Sequence, residues 1–159
     1  MSRRPVAVPH DEEALRTRAA VITLMRAADG ARRAMTDALR PFDLTPPQFN
    51  VLTILRFDGE LPTFQIAARM VEATPGITRL VNTLVDKGLV RRVQATGDRR
   101  QQLCSLTVAG GRLLDAAIPP FNRAQSDVLG DLDAGEATQV TALLGRMGVK
   151  RVVRARRTA

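Results

Sequence analysis

Between Ile77 and Leu106 the sequence changes its period, and this change constrains the fold more than any other feature. Ile77, Leu80, Val81, Leu84 and Val85 recur every three or four positions, the spacing of one buried helix face, which leaves Gly76, Thr78, Arg79, Asn82 and Thr83 on the other faces. Gly88 follows where a helix commonly stops on a left-handed residue. From Leu89 the pattern alternates instead. Leu89–Val93 and Gln101–Leu106 read as two short strands around a charged turn at Thr96, Gly97 and Asp98.

Helices are expected on both sides of this unit. From about Asp11 to Leu39 the residues Val21, Leu24, Ala28, Ala31, Met35 and Ala38 keep helical spacing, with Gly30 costing roughly 1 kcal/mol of propensity. Thr45, Pro46 and Gln48 form a capping box with proline at the first helical position; the helix they start buries Phe49, Leu52 and Leu55 and stops at Asp58-Gly59. A short helix near Thr63 is expected to turn Ile66, Ala67 and Met70 inward, and Thr74-Pro75 to start the next, which runs to about Lys87. Thr107 caps a fifth helix carrying Leu114, Ala117, Phe121, Ala124 and Val128, which Pro119-Pro120 should break or bend. Asp133 and Glu136 box the start of a sixth, with Ala137, Val140, Leu144 and Met147 on its stripe. The first, fifth and sixth helices carry more apolar surface than a small monomeric core needs, so self-association is expected to bury it.

The chain is therefore expected to be mainly α with a small two- or three-stranded β wing: a winged helix-turn-helix with flanking dimerisation helices. Its 159 residues suit a single compact unit.

Charge narrows the partner. Lys and Arg number 24 against 16 Asp and Glu, a formal net charge of +8, and all but two of the basic residues are arginine. Arginine's planar fork of donors matches phosphate oxygens and guanine edges in pairs. Net charge alone leaves nucleic acid, an anionic membrane surface and a merely soluble basic protein all open. No apolar run approaches the ~18 residues of a membrane span, and Arg3-Arg4 leads into Pro5, Pro9 and an acidic run instead of an export signal. Cys104 is the only cysteine, so no intrachain disulfide forms and a reducing, cytoplasmic setting is expected.

Catalysis is disfavoured by residue types. The only histidine, His10, lies in a proline-containing tail, which removes most triads and His/Cys metal sites, and neither GxGxxG nor GxxxxGK[ST] occurs. Carboxylate-only chemistry is left open, but no pair of acids stands out. Neither a cofactor nor a metal is expected.

The stretches Thr45-Pro-Pro-Gln-Phe-Asn-Val-Leu52, Thr78 through Arg92, Gly97-Asp-Arg-Arg100 and Leu106-Thr-Val-Ala-Gly110 together resemble the MarR family of bacterial transcription regulators, over about Ala14 to Met147. The resemblance implies homodimers formed by the terminal helices, with two winged domains on successive major grooves of a pseudo-palindromic operator. It makes Thr74, Gly76, Thr78, Arg79 and Asn82 candidates for base or phosphate contact. Asp98 would position the wing, with Arg99 or Arg100 reaching the minor groove. The implied partition is a tail at 1–10, an N-terminal dimerisation helix at 11–44, the winged domain at 45–106, C-terminal dimerisation helices at 107–148 and a basic tail at 149–159.

Independently of the family, Arg79 can grip guanine O6/N7 and Asn82 can pair with adenine N6/N7, against the alternative that both line a solvated helix face. Thr78 is better suited to a phosphate. The resemblance also implies a regulatory small molecule, an aromatic acid or phenol, with repression released on binding. Met25, Met35, Phe42 and Phe49 can line such a crevice, although methionine at helical spacing usually fills core. Cys104 is read as a small hydrophobe in preference to a redox sensor. The alternative function is a nucleoid or RNA-binding protein that uses its arginines without sequence choice.

Overall fold

A computed structural model describes residues 12–71, 76–94 and 102–147. In chain order these form α1 (Glu12–Leu39), a 3-10 turn (Arg40–Phe42), α2 (Pro46–Asp58), α3 (Thr63–Ala67), α4 (Ile77–Asp86), β1 (Val90–Gln94), β2 (Gln102–Leu106), α5 (Val108–Leu129) and α6 (Ala134–Arg146). The fold is the expected one, mainly helical with a β wing.

The core is built around α2. Its start is fixed by the capping box: the Gln48 amide N–H donates to the Thr45 hydroxyl, and the Thr45 N–H donates to the Gln48 side chain at 2.9 Å. From that start the helix buries Phe49, Val51, Leu52, Ile54 and Leu55. Ile66 of α3, Val81 and Leu84 of α4, Val90 of β1, Cys104 of β2, and Leu114 and Ala117 of α5 close around it. Each fully buried leucine or isoleucine here contributes roughly 1.5–3 kcal/mol of transfer free energy, so α4 and the wing are held as one body by the apolar residues they share.

The wing is a two-stranded antiparallel ribbon pairing Val90 with Leu106 through Gln94 with Gln102. A third strand is reduced to one bridge, in which Leu61 and Cys104 exchange backbone hydrogen bonds of 3.1 and 2.8 Å. Cys104 is fully buried at this bridge, 3.7 Å from the Thr63 hydroxyl, in keeping with its role as a small core residue.

Three local expectations need correction. Ala67 is exposed, because α3 ends there after five residues and only Ile66 is carried fully inward, with Met70 half-buried beyond the helix. The helix α4 begins at Ile77 with Gly76 as its cap at φ 83°, so the start expected from Thr74-Pro75 is displaced toward the C-terminus. Thr74 and Pro75 lie outside the described residues. Finally, of the break or bend expected at Pro119-Pro120 the break does not occur: α5 continues as one helix through both prolines. The carbonyls these prolines leave without a donor belong to Asp115 and Ala116, both exposed and open to water. Ala117 before them is buried, and the Phe121 ring after them lies 4.3 Å from that of Phe49, so packing fixes the helix on both sides.

The long α1 lies along α5, yet Leu39 is its only buried residue among those described. Leu15, Val21, Ile22 and Met25 are exposed on it, Met25 by 62%. No described residue of α6 is buried, and Leu143 is 57% exposed. No described helix is long and apolar enough to cross a membrane.

Candidate nucleic-acid interface

The helix α4 is sharply two-sided. Val81 and Leu84 are fully buried and Ile77, Leu80 and Val85 pack against the core, while Gly76, Thr78, Arg79 and Asn82 are exposed. The structure therefore brings four of the expected contact residues onto one outward face. Helical spacing explains the grouping: Thr78 to Asn82 is four residues and Arg79 to Asn82 is three, so Asn82 is a surface neighbour of both. Among the described residues no carboxylate pairs with Arg79. The remaining expected contacts Thr74, Asp98, Arg99 and Arg100 lie outside the described residues.

Both ends of α4 are fixed by backbone geometry. Gly76 adopts a left-handed conformation that a side chain would strain. At the other end Gly88, at φ 70°, donates to the Val85 carbonyl at 2.8 Å, and Leu89 donates to the Leu84 carbonyl at 2.9 Å. This Schellman pair stops the helix and turns the chain directly into β1.

Two side-chain links that local sequence spacing does not signal tie α4 to its neighbours. Lys87 Nζ donates to the carbonyl of Asp43 at 2.5 Å and to its Oδ2 at 2.9 Å, joining the end of α4 to the connection between α1 and α2. Asp43 holds a left-handed φ of 51° there, a conformation aspartate tolerates better than most residues. On the wing side, Arg92 Nη2 donates to Asn82 Oδ1 at 2.6 Å and Nη1 to Gln102 Oε1 at 3.3 Å. Arg91 is the other wing arginine described; its guanidinium lies 4.0 Å from Glu60.

Thr36, Arg40, Asp43, Leu44, Thr45, Gln48 and Lys87 line a cavity of about 280 Å³ at the same α1–α2–α4 junction. None of the four Met and Phe candidates lines it. Phe49 is core, Met35 and Phe42 are half-buried, and Met25 faces outward. Among the described residues no group of histidine, cysteine or carboxylates is placed to hold a metal ion.

Comparison with known proteins agrees with this geometry. The MarR family profile matches residues 44–101, from the end of the α1–α2 connection through β1, ending just before β2. An HTH-type transcriptional regulator of Bacillus subtilis, YdcH, is 34% identical over 100 residues, covering 60% of this chain and 68% of YdcH. Two solved structures share the fold. BpsR of Bordetella bronchiseptica, whose DNA binding is regulated by 6-hydroxynicotinic acid, superposes with a TM-score of 0.70 at 23% identity, covering 80% of this chain and 97% of BpsR. A mutant MarR of Escherichia coli complexed with operator DNA gives 0.72 at 22% identity, covering 89% and 99%. A two-sided α4 locked to an antiparallel wing, and a relative identical at a third of 100 aligned residues, lead to one conclusion: the chain belongs to the MarR family of transcriptional regulators.

Proposed function

We propose that two copies of this chain bind a pseudo-palindromic duplex, each laying the outward face of α4 in a major groove, and that the protein regulates transcription without catalysing a reaction. The observation that carries this reading is the exposed cluster of Thr78, Arg79 and Asn82 on a helix whose opposite face is locked into the core. Arg79 takes a guanine edge and Thr78 a phosphate. Gly76 lets the backbone come close to the duplex, and Thr74 lies just ahead of the helix. Arg99 and Arg100 reach the minor groove from the wing tip, positioned by Asp98. The protein acts in the cytoplasm, where its DNA is.

The partition follows from the same reading. Residues 45–106 read DNA, while 11–44 and 107–148 hold the two copies together, with 1–10 and the basic 149–159 as tails. A thirteen-residue helix such as α6 is marginal by itself in water, and with no buried residue among those described it needs a second surface. The exposed Val21, Ile22 and Met25 of α1 and Leu143 and Met147 of α6 supply the apolar area for it. Sedimentation at micromolar concentration should therefore give a dimer; a monomer at every dilution would remove the two-fold operator from the proposal.

The ligand-responsive part is a repressor released by a small aromatic acid or phenol. BpsR supports it by analogy; at the junction cavity Arg40 is paired with Asp37 and Lys87 with Asp43, so a carboxylate or phenolate there takes the place of those side-chain carboxylates. A ligand there acts by favouring one separation of the two reading helices over another.

Competition binding tests the whole. A duplex selected from a random pool should outcompete random duplex by about a thousandfold or more. Replacing Arg99 and Arg100 together by alanine should weaken binding and flatten the dependence on log salt by roughly 1–2 per protomer, since each lost phosphate contact retains about one counterion. Equal affinity for selected and random duplex would turn the reading to a nucleoid or RNA-binding protein without sequence choice. An unchanged salt slope would remove the wing assignment.

A further inference from the structure

The side chain of Asn82 is not free to read a base in either orientation. Arg92 holds it at 2.6 Å and is itself braced by Gln102 at 3.3 Å. A guanidinium has donors only, so the asparagine amide must turn its oxygen toward Arg92 and its NH2 group away. The brace comes from the strand register. Arg92 faces Cys104 across the ribbon, and Gln102 belongs to the next pair on the same face, so Arg92 leaves the ribbon where its buried part ends.

We propose, on the reading that α4 enters the major groove, that Arg92 makes Asn82 a donor-only reader of base edges. A paired asparagine recognises adenine by accepting from N6 and donating to N7. Here one lone pair of the accepting oxygen is committed to a charged donor, in a bond about twice as strong as a neutral one, and a second donor such as adenine N6 would have to approach beside the guanidinium charge. The NH2 group is therefore the favoured contact for the base. It is satisfied by guanine O6 or N7, by adenine N7 or by thymine O4, and it meets a like donor in the N4 amine of cytosine. Asn82 therefore excludes cytosine at its position and draws no advantage from adenine over guanine. Arg92 is the positioning residue, and the specificity of the reading helix is set in part from a wing strand.

Selection from a random duplex pool with the full-length protein and four variants decides this. For the parent, one position in each half-site should disfavour cytosine by about tenfold and accept adenine and guanine within about twofold. Asn82→Ala should make that position indifferent. Arg92→Met keeps the stem but frees the oxygen, and adenine should then lead guanine there several-fold. Arg92→Lys retains a donor and should keep the parental pattern. A purely structural role for Arg92 would lower affinity for all sequences alike and leave the pattern unchanged. The proposal is overturned if the parent already prefers adenine over guanine at the position that Asn82→Ala relaxes, if Arg92→Met leaves the pattern unchanged, or if Asn82→Ala relaxes no position while Arg79→Ala relaxes one. If neither Asn82→Ala nor Arg79→Ala relaxes any position of a site the parent does select, or if the parent selects none, the α4 reading itself fails and takes this proposal with it.

Discussion

Gly110→Ala is expected to lower the thermal midpoint by roughly 10 °C, the largest effect of adding a methyl at any described glycine. A β-carbon at Gly110 would lie 2.1 Å from the carbonyl oxygen of Leu89 and 2.9 Å from Cδ1 of Leu106. The obstacle cannot step aside. The Leu89 carbonyl accepts from the Thr107 N–H at 3.1 Å, the Thr107 hydroxyl donates to the adjacent Gly88 carbonyl at 2.8 Å, and the Leu89 N–H is bonded to Leu84 in the stop of α4. Moving it would disturb the end of the reading helix, the start of β1 and the cap of α5 together. Overpacking against movable side chains costs about 1–3 kcal/mol; against a pinned backbone oxygen the cost should reach or pass about 3 kcal/mol. Gly111→Ala is the control, because its β-carbon meets the end of the Arg56 side chain at 3.3 Å and Cδ2 of Leu106 at an ordinary contact distance of 3.9 Å, and no backbone atom. It should melt near the parent or slightly above it, since alanine favours the helix by about 1 kcal/mol over glycine. A Gly110→Ala protein melting within about 2 °C of the parent would mean that α5 does not abut Leu89 as described.

The same residue marks the border of what can be read from sequence. Leu106-Thr-Val-Ala-Gly110 is recognisable as a family stretch and Thr107 as a cap, but the need for glycine arises from Leu89, 21 residues earlier, and becomes visible only once α5 is docked. Features that depend on neighbours within a turn were legible: the boxes at Thr45–Gln48 and Asp133–Glu136, the apolar stripe of α4 and its stop at Gly88. Features decided by packing were not. Pro119-Pro120 reads as a break or a bend, yet α5 continues through it as one helix, with Ala117 and Phe121 packed on either side. Ala67 fits an inward stripe, yet α3 ends on it. For the candidate site, periodicity put Gly76, Thr78, Arg79 and Asn82 on one side of a helix, as found. Nothing in the spacing indicates that Arg92 binds Asn82 or that Lys87 reaches Asp43, because both links depend on how the chain leaves α4 and α1.

Arg79→Ala should cost the selected operator roughly 30- to 20,000-fold in affinity while leaving the fold intact. One bidentate arginine–guanine contact is worth about 1–3 kcal/mol of discrimination. A two-fold complex contains it twice, so about 2–6 kcal/mol is lost, with about 1.4 kcal/mol to each factor of ten. The fold is spared because the Arg79 side chain is exposed; within α4 it is the backbone carbonyl of Arg79 that accepts from the Thr83 hydroxyl, at 3.1 Å, and alanine retains that carbonyl. Arg79→Lys separates fork from charge. Lysine is a point charge and cannot grip O6 and N7 together, so this variant should keep most of its affinity for random duplex and the parental salt slope but lose the preference for guanine. If both variants bound the selected duplex within about twofold of the parent, Arg79 would line a solvated helix face. Sequence choice would then have to come from the wing or from the bending of the duplex itself.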